Sequence, residues 1–407
     1  MSEKSYIARE NVVCANTYTP LPVVLHKGKG SWLWDVEGKK YLDLMTAYSA
    51  VSFGHSHPRL VKALNEQAQL LALPSRAFFS DQLAPMMEKA CALSGLDMGI
   101  PMNTGAEAVE TAVKVVRRWG YQVKGIPENK AEIIVAENNF HGRTTTIISF
   151  STERDYQKDF GPLTSGFKAV PFGDIQALEK AITPYTCAFL VEPIQGEAGI
   201  IVPPKGYLKE VRRICTENNV LLIMDEVQSG FGRTGKVFAF QHEGIQPDGL
   251  TLGKALGGGL LPISLFLGRH DMLSLMTPGS HGSTFGGNPL ACAVAQEAMD
   301  LLVEEKLADH SAKMGTYMLE RLRKIKSPLI KEVRGMGLWA GIEFHENHLM
   351  ARKVCEKMSE KGVLSKDTHA TVIRIAPPLN VTQEELDFGL DVFEGVLKEM
   401  EKETSRE

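Results

Sequence analysis

The sequence predicts an α/β protein built on a mostly parallel central sheet, and three observations predict it. Short apolar runs alternate with amphipathic stretches between about residues 100 and 290. The runs are continuous rather than alternating, as in a sheet covered on both faces by helices. The chain has 407 residues, more than one ordinary core organises, so two closely joined domains are expected.

The elements follow in order. Residues 1–60 are broken by Pro20, Pro22, Gly28, Gly30 and Gly38, and hold the strand-like Ser31-Trp32-Leu33-Trp34-Asp35. Met102-Asn103-Thr104-Gly105-Ala106-Glu107-Ala108 leads into an amphipathic helix through about Trp119. Ile133-Ile134-Val135, Ala188-Phe189-Leu190-Val191, Val220-Leu221-Leu222-Ile223-Met224 and Ile263-Ser264-Leu265-Phe266-Leu267 read as buried strands. Between two of them Leu208, Val211, Ile214 and Cys215 recur at helical spacing. Beyond about residue 306, amphipathic helices such as Ala312–Lys324 alternate with strand-like Thr371-Val372-Ile373-Arg374-Ile375.

Composition excludes several classes of function. A net charge of −4 offers no broad basic face for nucleic acid. No apolar run approaches the roughly 18 residues of a membrane span. Met1-Ser2-Glu3-Lys4-Ser5 has no apolar signal core behind it and is too mixed in charge for a transit peptide, so a cytoplasmic location is expected. The six cysteines, none spaced as C-x-x-C, read as reduced, small apolar residues. His55-x-His57 and His345-x-x-His348 lack a third matching ligand, so no metal is expected.

Three segments place unusual residues where a strand gives way to a loop, the usual ligand-binding edge of an open α/β sheet. Thr104-Gly105 enters a helix whose free N–H groups and dipole suit a phosphate, although an ordinary helix start explains it better when taken alone. Asp225 follows five apolar residues and calls for a cationic or hydrogen-bonded partner; a strand-end acid capping a loop fits equally well. Lys254 sits between Leu250-Thr251-Leu252 and Gly257-Gly258-Gly259. A P-loop would require a glycine where Asp248 stands and Ser or Thr where Ala255 stands, so nucleotide hydrolysis is set aside.

Together these segments resemble the class III aminotransferases of pyridoxal-phosphate fold type I. The likeness runs from Asn16 to about Leu379. Its strongest pieces are Asp225-Glu226-Val227-Gln228-Ser229-Gly230-Phe231-Gly232-Arg233-Thr234-Gly235 and Leu252-Gly253-Lys254-Ala255. The resemblance implies pyridoxal 5′-phosphate as cofactor, with Lys254 as the amine that condenses with its aldehyde and Asp225 as the partner of its pyridine nitrogen. It implies Phe140 and Val227 on the two faces of the ring, Gln228 near the phenolic oxygen, and Gly105 and Ala106 at the phosphate. Thr284 would reach the phosphate of a neighbouring subunit, which implies a homodimer with shared sites. It also joins the two chain ends into one smaller α+β unit, giving an N-terminal segment 1–59, a cofactor domain 60–305 and a small domain 306–407.

Within the class, Asn16-Thr17-Tyr18-Thr19-Pro20-Leu21-Pro22, Ala47-Tyr48-Ser49-Ala50-Val51, Ser75-Arg76-Ala77-Phe78 and Glu192-Pro193-Ile194-Gln195-Gly196-Glu197-Ala198-Gly199 are similar to the ornithine δ-aminotransferase family. That likeness implies ornithine and 2-oxoglutarate as substrates. Tyr18 would meet the ornithine α-amine, Arg143 its carboxylate, and Tyr48 would line the entrance. Arg374 would grip the α-carboxylate of glutamate or 2-oxoglutarate, with Glu197 as a removable partner. Relatives acting on N-acetylornithine, 4-aminobutyrate or lysine remain the alternative, and a catalytically silent protein of this fold is a third reading. The chain departs from the family pattern at Ser52-Phe53, where Asn-Gln is usual, and at Thr17 and Thr19.

Overall fold

The apolar runs do become strands, all within one seven-stranded sheet. A computed structural model describes residues 2–345 and 350–404. The strands are β1 (Met98–Met102), β2 (Glu132–Ala136), β3 (Phe167–Val170), β4 (Thr186–Val191), β5 (Leu221–Asp225), β6 (Gly249–Leu252) and β7 (Ser264–Gly268). Their order across the sheet is β1-β7-β6-β5-β4-β2-β3. Strand β7 runs antiparallel to both neighbours, and the others are parallel.

Every residue of β4 to β7 is buried, because successive side chains feed two different cores. Leu222 and Met224 belong to one hydrophobic cluster, and Leu221 and Ile223 to another on the opposite face. The helix Gly105–Gln122, here α1, covers the second face with Val109, Ala112, Val113 and Val116. Tyr207–Glu217 covers the first with Leu208, Val211, Ile214 and Cys215.

Strands β1 and β3 carry no continuous apolar run, and both lie at sheet edges. An edge tolerates Pro101 in β1, where a ladder N–H is dispensable. It also tolerates the exposed middle of β3.

The two ends of the chain form two further sheets. Leu25–Lys29, Trp32–Asp35 and Lys40–Asp43 pair antiparallel, and Val363–Leu364 adds to Lys40–Asp43 in parallel. The second sheet has the order Ile330–Gly335, Ala340–Phe344, Val372–Ile375, Lys366–Thr368. The division arises at Ser365. Its Oγ donates to Arg374 O at 2.7 Å, and the stretch on either side of it serves a different sheet.

Candidate active site

The carboxyl ends of the parallel strands converge on one pocket. Gly105 and Ala106 follow β1, Phe140 and His141 follow β2, Glu192 follows β4, Asp225 ends β5, and Lys254 follows β6; all of them line it. The pocket encloses about 190 Å³. A second hollow of about 390 Å³, which also touches Gly105 and Lys254, continues from it past Ala47. There is room for a ring beside the lysine and a path for substrate.

Lys254 has φ 45°, a left-handed backbone that L-residues adopt at a cost and that clusters at functional sites. Burial lowers its pKa and the Arg374 charge adds to this, while Glu197, Asp225 and Glu192 oppose it. A lysine with a lowered pKa is a better base and nucleophile at neutral pH.

Asp225 is held from two sides. Its Oδ1 accepts from Val227 N at 3.0 Å, and its Oδ2 lies 2.6 Å from His141 Nδ1. Burial works against charge on His141, but the hydrogen bond and charge of Asp225 outweigh it and raise the His141 pKa. The carboxylate is thereby fixed at the pocket floor.

Helix α1 supplies the opposite end. Thr104 Oγ1 accepts from Glu107 N, and Glu107 Oε2 accepts from Thr104 N at 2.8 Å, a reciprocal cap. The N–H groups of Gly105 and Ala106 belong to the first turn, which a helix leaves without internal partners. A Cβ on Gly142 would come within 2.8 Å of Ala106 Cβ, so only glycine leaves this cradle open.

These features fit pyridoxal phosphate on chemical grounds. A fixed carboxylate, a helix start with free N–H groups, Phe140, Val227 and an amine of lowered pKa line the same pocket. Gln228 lines the same pocket and donates from Nε2 to Tyr48 O at 3.3 Å.

Near the lysine lies a buried ion pair. Arg374, 5% exposed, donates from Nη1 to Glu197 Oε1 at 2.6 Å, and its guanidinium lies 4.7 Å from the centre of the Tyr48 ring. Burial disfavours charge on Glu197, but Arg374 and Lys254 more than compensate, and its pKa is lowered. Arg143 stacks on Tyr156 at 3.6 Å and lies 5.5 Å from the Phe140 ring.

Two expected residues stand apart. Tyr18 is exposed, though close enough to bear electrostatically on Tyr48; Arg352 anchors its neighbours through Thr19 O and Pro20 O. Thr284 lines a separate hollow with Arg76 and Phe78. His55 is engaged by Asp43 at 2.7 Å, and His57 faces Glu305 at 3.9 Å. His348 lies outside the described residues.

Sequence reasoning missed His141 and Glu192, although Glu192 opens a quoted motif and His141 adjoins Phe140. Glu192 is buried, and accepts from Phe140 N at 3.0 Å and Gly196 N at 3.1 Å. Burial pushes its pKa up to about 7. A histidine directly after the ring-facing phenylalanine, and an acid closing the apolar β4, were the available signals.

The Aminotransferase class-III family matches residues 13–397. The ornithine aminotransferase of Geobacillus sp. (strain WCH70) is 57% identical over 386 residues, 94% of this chain and 96% of that protein. A solved structure of the ornithine aminotransferase from Toxoplasma gondii, with partial occupancy of pyridoxal phosphate at its active site, matches with a TM-score of 0.97 at 44% identity. It covers 99% of this chain and 95% of its own. The acetylornithine aminotransferase of Elizabethkingia anophelis matches with a TM-score of 0.90 at 46% identity, covering 98% of this chain and 100% of its own. With the lysine, the fixed aspartate and the helix start gathered in one pocket, the chain belongs to the class-III aminotransferases, whose cofactor is pyridoxal 5′-phosphate.

Proposed function

We propose that this chain moves the δ-amino group of L-ornithine to 2-oxoglutarate. The products are glutamate and glutamate 5-semialdehyde, which cyclises to pyrroline-5-carboxylate. The observation that carries the reading is the Arg374–Glu197 pair, closed at 2.6 Å beside Lys254. Ornithine must present its amine end with no carboxylate beside it, whereas glutamate must present an amine with a carboxylate attached. Closed, the pair offers ornithine no free arginine. Opened by an incoming α-carboxylate, it offers glutamate or 2-oxoglutarate a planar fork.

When bound, pyridoxal phosphate supplies the aldehyde that exchanges amines and the ring that accepts the electron pair released at the substrate carbon. Lys254 Nζ takes the proton from ornithine Cδ, and in the second half delivers one to Cα of the nascent glutamate. Asp225 would hold positive charge on the ring nitrogen, Gly105 and Ala106 would hold the phosphate, and Phe140 and Val227 would pack against the ring. Gln228 would serve the phenolic oxygen. Arg143 takes the ornithine carboxylate, Tyr18 its α-amine, and Tyr48 lines the way in.

The working unit in this reading is a homodimer, with Thr284 completing the partner's phosphate site. In support, Phe78, Phe79, Leu70 and Phe285 are exposed, and Phe78 shares the hollow of Thr284. A holoenzyme that sediments at the mass of one copy would overturn this part. The division into 1–59, 60–305 and 306–407 is retained, supported by the pairing of Leu42–Asp43 with Val363–Leu364. A cytoplasmic location is part of the proposal. Among the described residues no helix is long and apolar enough to cross a membrane.

The test is a set of single-turnover absorbance measurements of the holoenzyme with ornithine, N-acetylornithine, 4-aminobutyrate and lysine. Ornithine should bleach the cofactor band fastest, and N-acetylornithine, which lacks a free α-amine, much more slowly. A preference for N-acetylornithine or 4-aminobutyrate would reassign the donor.

A further inference from the structure

Thr46, Ala47, Tyr48 and Ser49 have φ of 48°, 45°, 59° and 71°. L-residues visit this left-handed region singly, and a run of four without glycine must be held by its surroundings. Asp43 Oδ1 accepts from Met45 N and Thr46 N, both at 2.9 Å. Thr46 Oγ1 donates to Ala376 O at 2.8 Å, and Ser52 Oγ to Ser49 O at 2.8 Å.

Arg233 binds these links together. It is fully buried, and its guanidinium donates to oxygens of hydroxyls and carbonyls rather than to a carboxylate. Nη2 reaches Ser52 Oγ at 2.9 Å and Thr46 Oγ1 at 3.4 Å. Nη1 reaches Pro377 O at 2.6 Å and Leu338 O at 3.0 Å. One side chain therefore fastens the turn carrying Tyr48 to the segment that follows Arg374. A buried arginine that makes no salt bridge, eased only by the nearby charge of Asp43, is costly to keep, which argues that the linkage is used. Ser52, one of the departures from the family pattern, is the hydroxyl it grips.

We infer that Arg233 is a positioning residue for the carboxylate end of the active site, clamping a strained left-handed turn so that Tyr48 stays against Arg374. Loosening the clamp lets the turn relax toward ordinary backbone, and the Tyr48 ring leaves the guanidinium. Lys254, Asp225 and the phosphate cradle lie on other elements and stay in place. The substrate assignment rests on the proposed function; the positioning itself does not.

The experiment uses holoenzyme with Ser52→Ala, which removes two links and leaves the arginine its other three acceptors, and Arg233→Lys. Calorimetric binding of glutarate reads the Arg374 site whatever the amine donor. Its Kd should rise about tenfold in Ser52→Ala, the loss expected when one cation–π contact to a desolvated arginine is displaced. The KM for 2-oxoglutarate should rise in parallel, with the KM for ornithine and cofactor content nearly unchanged. Adding Ser49→Gly, which makes left-handed backbone cheap, should recover most of the loss; a general packing defect would not be rescued this way. Folded, cofactor-loaded Ser52→Ala and Arg233→Lys with wild-type glutarate affinity would overturn the inference. So would equal losses for both substrates that Ser49→Gly does not repair. Wild-type protein that ignores ornithine, with glutarate binding still weakened in the variants, would overturn the donor assignment and leave the positioning standing.

Discussion

Glu197 faces two charged groups at once, and its removal should be felt by both. Glu197→Ala leaves Arg374 buried and uncompensated, which typically costs about 3–5 kcal/mol, so the free enzyme should melt lower. Added 2-oxoglutarate should restore its thermal midpoint by more than it raises that of the wild type. The glutamate half-reaction should become faster in stopped flow, and some ornithine should react at its α-amine, detectable as an α-keto acid. The same carboxylate favours the charged form of Lys254. The ornithine half-reaction needs that amine neutral, so its rate should rise with pH and level off below the ordinary lysine value of 10.5. In Glu197→Ala the inflection should move to lower pH. If the variant slows glutamate as much as ornithine, the pair is only structural. Tyr18 provides a second residue-scale test. A hydrogen bond to a charged amine is worth roughly 1.5–3 kcal/mol, so Tyr18→Phe should lower kcat/KM for ornithine about ten- to a hundredfold. Activity on 4-aminobutyrate should change far less, and equal losses on both donors would reduce Tyr18 to packing.

At the scale of elements, the start of α1 is the most exposed to a single change. Thr104→Ala removes the acceptor of Glu107 N, a cap loss of about 1 kcal/mol. Frayed N–H groups at Gly105 and Ala106 should raise the dissociation constant for pyridoxal phosphate about fivefold, measured by absorbance during dialysis. Unchanged retention would mean that the turn forms without its cap. The parts of the fold legible in the sequence were those where one residue type dominates for a physical reason. Strands β4, β5 and β7 were plain because burial on both faces leaves little room for polar side chains. Strands β1 and β3 were not, because an edge relaxes that demand and admits Gly99 and Pro101. In the site, Lys254 and Asp225 stood out as charged residues ending apolar runs. Arg233 did not, because its partners come from elsewhere in the chain and no local pattern marks its role. The left-handed turn at 46–49 was hidden for the same reason. With neither glycine nor asparagine in it, the turn needs distant hydrogen bonds with Arg233 and Ala376 beside the local ones of Asp43 and Ser52.

The whole molecule carries two buried carboxyls with a shared consequence for stability. Glu226 accepts from Ala239 N at 2.7 Å, Phe240 N at 2.8 Å and Ser229 Oγ at 3.1 Å. Burial nevertheless pushes its pKa up to about 7, as it does for Glu192. Between the ordinary value of 4.5 and about 7 the folded protein holds protons that the unfolded chain has released. Their contribution is therefore complete below the ordinary value and is lost as pH rises through about 7. Thermal midpoints of the holoenzyme between pH 5 and pH 8 should fall less steeply in Glu226→Gln than in the wild type. Equal slopes would show that its three hydrogen bonds already hold the carboxylate ionised. The interwoven ends have a different consequence, one of timing. Thr46 meets Ala376, 330 residues later, and Lys40–Asp43 waits for Val363–Leu364. On a ribosome, the chain from Gly105 to Lys254 emerges long before those partners do. A nascent chain at that stage already contains the residues proposed to hold the cofactor, while the arginine that would select its substrate has yet to be translated.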